Sequence, residues 1–303
     1  MSRQRELIGK SPPIQKLRRF IKKAAKSDAT VLLLGETGVG KDVVARLIHC
    51  SSHRKTGPFV KINCANLSDT MVESELFGCR KGAYTGAAID KPGLIEDADG
   101  GTFFFDEIAD ISPHLQAKFL SVLEDKELRR LGENKSRKID VRFILATNKD
   151  IEKLVRKGMF RKDLYYRISV LFFNIAPLRR RKEDIPLLVN SYLLKMSLDR
   201  SLDLSIEPEA MEKLMSLEFP GNIRELENIL ERALITSGKH MIRLKDLTSG
   251  IRSRPDRGKN SRYNRKLIIK TLEKYKGNKT RTAKALGISR QWVHKVLKES
   301  SKK

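Results

Sequence analysis

Residues 31–42 read VLLLGETGVGKD, a short apolar run that leads directly into a glycine-rich loop. Apolar side chains then recur at helical spacing in residues 43–48. Strand, glycine loop and helix is the order that phosphate binding needs, because glycines let backbone N–H groups close around phosphates at a helix N-terminus. We therefore expect nucleotide contacts from the eight loop residues, Gly35, Glu36, Thr37, Gly38, Val39, Gly40, Lys41 and Asp42.

Two positions of this loop determine its chemistry. Lys41 supplies positive charge to the β- and γ-phosphates of a bound nucleotide. Asp42 stands where many such loops carry the Ser or Thr whose hydroxyl ligates magnesium. The loop therefore predicts a nucleoside triphosphate site, with Asp42 as its one departure from the general pattern.

A second apolar strand pattern ends on two acids, since residues 100–107 read GGTFFFDE. Ligands of open parallel sheets bind at the carboxyl ends of the strands. We expect Asp106 to hold Mg²⁺, directly or through water, and Glu107 to polarise the water that attacks the γ-phosphate. A third strand ends at Asn148, whose amide could orient that water or sense the γ-phosphate. The alternatives are a solvated turn for the acids and a helix cap for the asparagine.

Strand and helix patterns alternate through the first half of the chain. We predict strands at 31–34, 59–63, 102–105, 141–147 and 170–175, with helical segments between most of them. This alternation predicts a five-stranded parallel sheet covered on both faces. From Asp184 onward the pattern is helical, and we predict helices at 186–196, 208–218 and 222–236.

One loop of the first half is not a loop that nucleotide chemistry requires. Residues 82–87 consist of Gly82, Ala83, Tyr84, Thr85, Gly86 and Ala87. Glycines at both ends let the segment swing, and the aromatic ring and the hydroxyl offer contacts to a partner outside the active site. The alternative is a glycine-rich surface turn.

Composition places the chain among multi-domain proteins that bind a polyanion. The 303 residues carry a formal net charge of +25, and residues 250–303 hold 18 basic and three acidic side chains, a net +15. Such a field favours nucleic acid, because neutralising phosphates releases their counterions. No continuous apolar run reaches the roughly 18 residues of a membrane span, and the three cysteines are interpreted as reduced thiols. We therefore expect a cytoplasmic protein.

The basic end of the chain has the pattern of a helix-turn-helix. Apolar residues at 267, 268 and 272 indicate one helix, residues 279–286 a second, and a third follows Gly287. On the third helix the polar side chains share one side, as required for contacts with base edges or phosphates in a major groove. The predicted DNA-binding residues are Thr280, Arg281, Ser289, Arg290, Gln291, His294 and Lys295.

The combined motifs, from residue 8 to 246 and again in the terminal module, resemble the bacterial enhancer-binding proteins, the NtrC-like AAA+ activators of sigma-54 RNA polymerase. The resemblance rests on ELFG at 75–78, KGAYTGA at 81–87, GGTFFFDEI at 100–108, ATN at 146–148, FRKDLYYR at 160–167 and PGNIRELEN at 220–228. Residues 277–290 resemble the Fis-type module that ends these activators. Separate motifs in the same order make chance agreement implausible.

The resemblance implies roles for further residues. Arg161 and Arg167 correspond to arginine fingers that reach the nucleotide of the adjacent subunit; the alternative for either is a surface ion pair. Arg224 corresponds to a second sensor of nucleotide state at the start of a lid helix. Asn63 corresponds to the partner that holds the catalytic glutamate, here Glu107, in an inactive orientation. Residues 82–87 correspond to the loop that grips sigma-54, although the family commonly has Phe where Tyr84 stands.

The family pattern also implies an organisation and a set of partners. The expected domains are an AAA+ α/β subdomain at 1–176, a helical lid at 177–249, a basic linker at 250–262 and a Fis-type helix-turn-helix at 263–303. The expected cofactors are ATP and Mg²⁺, and the expected partners are the sigma-54 holoenzyme, enhancer DNA bound by dimers, and copies of the chain in a hexameric ring. About 30 residues precede the first core strand, fewer than the ~100 of a sensor domain, so either a separate protein regulates this one or the chain is a fragment.

Two rival classes can be compared with this interpretation. The first is a DNA-binding regulator with an ATPase-like body that does not remodel polymerase; Glu107, Arg161, Arg167 and the 82–87 loop weigh against it. The second is an unfoldase that serves a protease, which has no use for a helix-turn-helix. Replacing Thr85 by Ala separates the activator from the first rival, because remodelling then fails while ATP hydrolysis and DNA binding persist.

Overall fold

The structure is a computed structural model, and it describes residues 6–64, 68–83, 89–200, 202–238, 240–248, 265–275, 277–286 and Val293. The chain divides into two compact units, Met1–Leu247 and Thr248–Lys303. No described helix combines the length and the apolar character that a bilayer crossing needs.

The first unit opens with an α/β core. Its elements in chain order are α1 (Pro12–Ala25), β1 (Val31–Leu34), α2 (Lys41–Cys50), β2 (Phe59–Asn63), α3 (Asp69–Phe77), β3 (Gly78–Cys79), β4 (Lys91–Pro92), α4 (Leu94–Asp97), β5 (Thr102–Asp106), a 3-10 turn (Ile108–Asp110), α5 (Pro113–Asp125), β6 (Glu127–Arg129), β7 (Ser136–Lys138), β8 (Arg142–Thr147), α6 (Ile151–Arg156), α7 (Lys162–Ile168) and β9 (Leu171–Asn174).

The five predicted strands form one parallel sheet in the order β2-β5-β8-β1-β9. The prediction of a five-stranded parallel sheet is confirmed, with shifts of one residue at several strand ends. The interior strand β5, between β2 and β8, places Phe103 and Phe105 in one hydrophobic cluster and Phe104 in the other. Successive side chains of a strand point to opposite faces, so a run of three phenylalanines fills the core on both sides of the sheet.

Two antiparallel hairpins stand beside this sheet, and the sequence patterns did not predict them. Strands β3 and β4 flank residues 80–90, and strands β6 and β7 flank residues 130–135. A bridge between Cys79 and Leu131 joins the two hairpins. Their strands are only two or three residues long, too short for a periodic pattern to be recognised.

Helices dominate the remainder of the first unit. Two 3-10 turns (Leu178–Arg180 and Lys182–Asp184) lead into α8 (Ile185–Arg200), β10 (Ser205–Ile206), α9 (Pro208–Ser216), α10 (Asn222–Ser237), β11 (Met241–Ile242) and α11 (Leu244–Thr248). The three predicted lid helices are confirmed, and α8 is longer than its pattern indicated. Leu226, Leu230 and Leu234 of α10 are buried, as the i, i+4 spacing predicts.

The second unit contains α12 (Arg265–Lys274) and α13 (Lys279–Leu286). Ile268 of α12, Thr282 and Ala283 of α13, and Val293 are buried. Asn278 starts α13, since its Oδ1 accepts hydrogen bonds from the N–H groups of Thr280 and Arg281. The first two predicted helices of the module are therefore present, and the third lies outside the described residues apart from Val293.

Candidate nucleotide site

The predicted phosphate loop lies between the end of β1 and the start of α2. Gly38 (φ +81°) and Gly40 (φ +99°) occupy the left-handed region, which glycine enters without a Cβ clash. Gly40 is the N-cap of α2, and no side chain among the described residues caps this helix end. The first-turn N–H groups of a helix have no partner within the helix, so they can bind an anion here.

Lys41 and Glu107, which the sequence placed in separate motifs, meet in the structure. The Lys41 Nζ donates to Glu107 Oε1 over 3.2 Å and to the Gly35 carbonyl over 3.0 Å. The other carboxylate oxygen of Glu107 accepts a 2.9 Å hydrogen bond from the Asn148 N–H. Lys41 is 7% and Glu107 9% exposed, so their charges interact with little screening by water. Glu107 also holds a left-handed backbone (φ +60°), which is uncommon for a residue with a side chain.

Asp106 lies one residue earlier, at the end of β5. Its Oδ1 is buried without a hydrogen-bond partner among the described residues, and its Oδ2 lies 3.5 Å from Lys61 Nζ. Burial raises the pKa of this carboxyl, and the neighbouring Glu107 raises it further, whereas Lys61 lowers it. A buried carboxylate oxygen without a partner costs free energy unless a cation or donor approaches it. The position therefore suits a metal ligand.

Two predicted asparagines lie on the same edge of the sheet. Asn63 pairs in register with Asp106 across β2 and β5, and its Nδ2 lies 3.4 Å from Asp106 Oδ2. Asn148 follows β8, and its Nδ2 donates to Thr37 Oγ1 over 2.9 Å. The structure thus brings Asn148 to both the phosphate loop and Glu107. The expected role of Asn63 as a partner of Glu107 stays a prediction.

The lid helix α10 starts directly against the phosphate loop. The Ile223 N–H donates to the Gly38 carbonyl over 3.0 Å, and a Cβ added to Gly38 would lie 2.3 Å from the Gly221 carbonyl oxygen. Gly38 is therefore required for close packing as well as for its backbone angle. Arg224, on the first turn of α10, has its Cβ 3.1 Å from that same added position, which places its exposed side chain at the rim of the loop.

A cavity of about 550 Å³ adjoins the phosphate loop at Val39 and Gly40. Its walls are mainly apolar and come from the segment before α1, from the loop and α2, and from the lid. The sequence patterns did not identify this cavity, because its walls come from distant segments with no motif of their own. The residues that line it include Leu7, Ile8, Val39, Val43, Arg181 and Leu226.

The chain before α1 is fixed in place by one buried acid of the lid. Asp184 is fully buried and accepts from the Lys10 N–H (2.7 Å), the Ser11 N–H (2.9 Å) and the Ser11 hydroxyl (2.6 Å). Gly9 has φ +136°, and a Cβ there would lie 2.7 Å from the carboxyl carbon of Asp184. These contacts hold Leu7 and Ile8 at the cavity wall.

The two predicted finger arginines belong to the region of α7. Arg161 precedes the helix, its side chain is 44% exposed, and it pairs with Asp163 at 2.7 Å. The Arg161 N–H donates to the buried Gln116 Oε1 over 2.8 Å, which fixes its backbone. Arg167 is exposed and donates to the Leu123 carbonyl over 3.1 Å. Both guanidinium groups are therefore accessible from outside the subunit.

Only the base of the 82–87 loop belongs to the described residues. Gly82 has φ +81°, and Ala83 packs beside Gly132 of the second hairpin. At the base, Arg80 pairs with Asp90 at 2.6 Å and with Glu133 at 3.2 Å. Tyr84, Thr85, Gly86 and Ala87 lie outside the described residues.

Two of the predicted DNA-binding residues are described. Thr280 and Arg281 are exposed in the first turn of α13. The other five, Ser289, Arg290, Gln291, His294 and Lys295, lie outside the described residues.

Three family descriptions match successive parts of the chain. Residues 7–174 match the Sigma-54 interaction domain, residues 179–264 the AAA+ ATPase lid domain, and residues 264–299 the Bacterial regulatory protein, Fis family. Regulatory protein AtoC of Escherichia coli (strain K12) is 41% identical over 97% of this chain and 67% of that protein. Transcriptional regulatory protein ZraR of Salmonella typhi is 42% identical over 94% and 66%, and the Nif-specific regulatory protein of Herbaspirillum seropedicae is 51% identical over 75% and 42%. The chain thus spans about two thirds of the length of the first two relatives.

Solved structures support the same fold. NtrX from Brucella abortus in complex with ATP superposes with a TM-score of 0.75 at 34% identity, covering 99% of this chain and 70% of that one. A Thermotoga maritima RuvB mutant superposes with a TM-score of 0.54 at 16% identity, a likeness of fold alone, over 93% and 83%. The predicted fold class, an AAA+ parallel sheet with a helical lid and a helix-turn-helix, is confirmed.

Proposed function

Because the chain belongs to the sigma-54-dependent transcriptional activators, an ATP-driven AAA+ family, we propose that this protein hydrolyses ATP to remodel the closed promoter complex of sigma-54 RNA polymerase. The observation that carries the proposal is the meeting of Lys41, Asp106, Glu107 and Asn148 beside the phosphate loop. A phosphate cradle and two acids at a strand end are the parts that phosphoryl transfer to water needs.

The nucleotide takes a defined place in this proposal. The eight residues from Gly35 to Asp42 hold the phosphates, with Lys41 directed at the β- and γ-phosphates. The 550 Å³ cavity beside the loop holds the base, since its walls are mainly apolar and it adjoins Val39 and Gly40. Arg224 approaches the phosphates from the lid, and Asn148 senses the γ-phosphate. The similar NtrX protein was solved in complex with ATP, which supports the choice of nucleotide.

Glu107 acts as the base that takes a proton from the attacking water. In the structure its carboxylate is held by Lys41 and by the Asn148 N–H. When Lys41 turns to phosphate oxygens, Oε1 of Glu107 becomes available to accept a hydrogen bond from water. Asn63, in register with Asp106, is the proposed partner that holds Glu107 in an inactive orientation.

Asp106 is the proposed Mg²⁺ ligand. The buried Oδ1 without a partner among the described residues fits a divalent cation, which carboxylate oxygens prefer to bind. When bound, Mg²⁺ supplies charge neutralisation of the phosphate oxygens.

The fingers, the ring and the regulatory parts complete the proposal. Arg161 and Arg167 of one protomer reach the nucleotide of the next in a hexameric ring. Residues 82–87 contact sigma-54. Dimers bind enhancer DNA through Thr280, Arg281, Ser289, Arg290, Gln291, His294 and Lys295.

The proposed domains are those expected above, 1–176, 177–249, 250–262 and 263–303. The protein acts in the cytoplasm, under the control of a separate regulatory protein or of further domains.

The test is an open-complex assay with the whole chain. Purified protein, sigma-54 holoenzyme, a promoter with an upstream binding site and ATP should give heparin-resistant open complexes, whereas ATP omission should give none. Thr85→Ala is expected to abolish open complexes and to keep ATP hydrolysis and DNA binding within about threefold of wild type, a change below 1 kcal/mol. Normal promoter opening by this variant contradicts the assigned role of the loop and favours a regulator that does not remodel polymerase.

A further inference from the structure

The lid helix α10 begins with a residue in an unusual environment. Asn222 is fully buried, although it is polar and lies at a subdomain junction. Its backbone has φ +54°, the left-handed region that asparagine enters more readily than other residues with a side chain. A buried amide is stable only when its donors and its acceptor have partners.

The Asn222 side chain joins three segments. Its Nδ2 donates to the Thr37 carbonyl over 3.1 Å and to Glu36 Oε2 over 3.2 Å, both in the phosphate loop. Its Oδ1 accepts from the Leu178 N–H over 2.8 Å, in the turn that follows the sheet. One amide thus holds the phosphate loop, the turn after β9 and the first residue of the lid helix together.

Glu36 is a second anchor of the same junction. Arg179 binds both of its carboxylate oxygens, at 2.6 and 2.7 Å. The hydrogen bonds from Arg179 lower the pKa of Glu36 to about 2, and Asn222 contributes to this shift. Glu36 is therefore a carboxylate at neutral pH, so Asn222 donates to a charged acceptor, which makes a stronger hydrogen bond than a neutral one does.

The chemistry of these contacts requires asparagine at position 222. Aspartate keeps the acceptor for Leu178 but loses both donors and places a second negative charge beside Glu36. Glycine keeps the left-handed backbone but loses all three contacts. Only an amide supplies the acceptor and the two donors at once.

We propose that Asn222 is a positioning residue that locks the phosphate loop to the lid, so that the loop is pre-organised for the triphosphate and its occupancy is transmitted to α10. This inference rests on the proposed ATPase function. It adds a link separate from Arg224, because Asn222 contacts the protein loop and acts on the phosphates through it. A loop that is ordered before binding does not have to lose its freedom on binding, so its affinity for nucleotide is higher.

The test compares Asn222→Asp with wild type in the whole chain. The probe is a fluorescent N-methylanthraniloyl ADP, whose Kd is measured by titration, and steady-state ATP hydrolysis is measured beside it. We expect Kd and the KM for ATP to rise about tenfold or more, equivalent to the loss of one or two hydrogen bonds. Because Asp106 and Glu107 are untouched, kcat at saturating ATP should stay within about threefold.

Asn228→Asp is the matched control. It makes the same chemical change on the same helix, at an exposed position, and should leave Kd and KM at their wild-type values. A Kd for Asn222→Asp equal to that of this control overturns the inference. A fall in kcat with an unchanged Kd overturns it too, because a structural defect reduces the active fraction and not the affinity of the remainder.

A reversed pair provides the rescue. In the double variant Glu36→Gln with Asn222→Asp, the new amide at position 36 can donate to the new carboxylate at position 222, and Arg179 keeps one negative partner nearby. Kd should recover at least about threefold relative to Asn222→Asp, a coupling within the range for contacting residues. Absence of this recovery overturns the specific Glu36 contact.

Two further outcomes are distinguishable. If Asn222→Asp does not fold, Asn222→Gly replaces it, with the same expected rise in Kd, and an unchanged Kd again overturns the inference. If the wild-type chain neither binds the fluorescent ADP nor hydrolyses ATP, the proposed function is contradicted, and so is the inference that rests on it. If the wild-type chain binds the fluorescent ADP and Asn222→Asp binds it with the same Kd, only the inference about Asn222 is contradicted.

Discussion

At the scale of single residues, neighbours determine how the acids of this site behave. Asp106 is buried beside Glu107, and the pKa of its carboxyl is raised mainly by desolvation. Glu36 is bound by Arg179, and its pKa is lowered to about 2. Burial favours the neutral acid, whereas paired hydrogen bonds from a guanidinium favour the carboxylate. The first acid therefore suits a site that a cation completes, and the second suits a permanent structural anchor.

The Glu36 pair predicts a specific acid dependence of stability. Its folded pKa, about 2, lies below the ordinary value of 4.5, so its stabilisation is present above pH 4.5 and is lost as the pH falls toward 2. Glu36→Gln should therefore lower the free energy of unfolding at pH 6, by at most about 1 kcal/mol because water screens the partly exposed pair. Urea unfolding at pH 6, 4 and 3 should show the difference shrinking with acidification.

The exposed acid Glu212 provides the control for this measurement. Glu212→Gln should leave the free energy of unfolding nearly unchanged at each pH, because substitutions of exposed surface side chains usually have little effect on stability. A difference between wild type and Glu36→Gln that grows as the pH falls has the wrong sign and contradicts the assignment.

At the scale of elements, the segment before α1 lies outside the sheet but lines the cavity that we propose holds the nucleotide base. Ser11 caps α1, since its hydroxyl accepts from the Ile14 N–H, and the same hydroxyl donates to Asp184. The start of α1 and the end of the second 3-10 turn are thereby fixed to each other. This attachment carries Ile8 to the wall of the 550 Å³ cavity.

Removing the charge of Asp184 should weaken nucleotide binding. Asp184→Asn keeps the size of the side chain but turns one acceptor oxygen into a donor that faces N–H groups or the Ser11 hydroxyl. We expect the KM for ATP to rise about tenfold, as for the loss of a charged hydrogen bond, with kcat within about threefold. Steady-state hydrolysis over a range of ATP concentrations measures both.

The matched control is Asp203→Asn, the same change at an exposed position before β10. It should leave the KM for ATP at its wild-type value. Equal KM values for the two variants would remove the segment before α1 from the nucleotide site, while a parallel loss of kcat and of folded protein would mark Asp184 as a stability residue only.

At the scale of the whole molecule, the site is expected to be completed by another copy of the chain. Arg161 is exposed, and its described partner is the nearby surface acid Asp163. An exposed ion pair of this kind contributes about 1 kcal/mol or less to stability, so its guanidinium can exchange the acid for a phosphate at low cost. A finger supplied in this way accelerates phosphoryl transfer by about 10³ to 10⁵.

Mixing two inactive variants tests this arrangement. Glu107→Gln lacks the base but keeps the finger, and Arg161→Ala lacks the finger but keeps the base. Each alone should hydrolyse ATP at least about 10²-fold more slowly than wild type. In an equimolar mixture with random assembly, about a quarter of the interfaces unite an intact base with an intact finger, so activity should recover toward that fraction.

The mixture has its own control. Glu107 and Lys41 must both come from the same protomer. A mixture of Glu107→Gln with Lys41→Ala therefore cannot create a complete interface, and it should remain inactive. Failure of the first mixture to recover any activity, with mixed oligomers demonstrated by light scattering, contradicts a finger that acts between subunits.

Much of the fold was predictable from local pattern. Short apolar runs identified the strands, and Gly38 and Gly40 identified the loop, because local hydrophobicity and backbone freedom are properties of neighbouring residues. The hairpins around residues 80–90 and 130–135 were not predictable, since strands of two or three residues carry no period. The acids of β5 were recognised as a site because they follow a strand, which places them at one edge of a sheet.

By itself, the sequence determined which residues can carry the chemistry: a lysine on a glycine loop, two acids at a strand end, and a basic terminal module. Only the tertiary structure decided which of them meet. The order β2-β5-β8-β1-β9 brings Asn63 beside Asp106, and docking of the lid brings Asn222 to Glu36 across 186 positions of chain. Residue type and short-range spacing are properties of the local sequence. Contacts between distant segments depend on how the surfaces of helices and sheets pack together, which no single segment specifies.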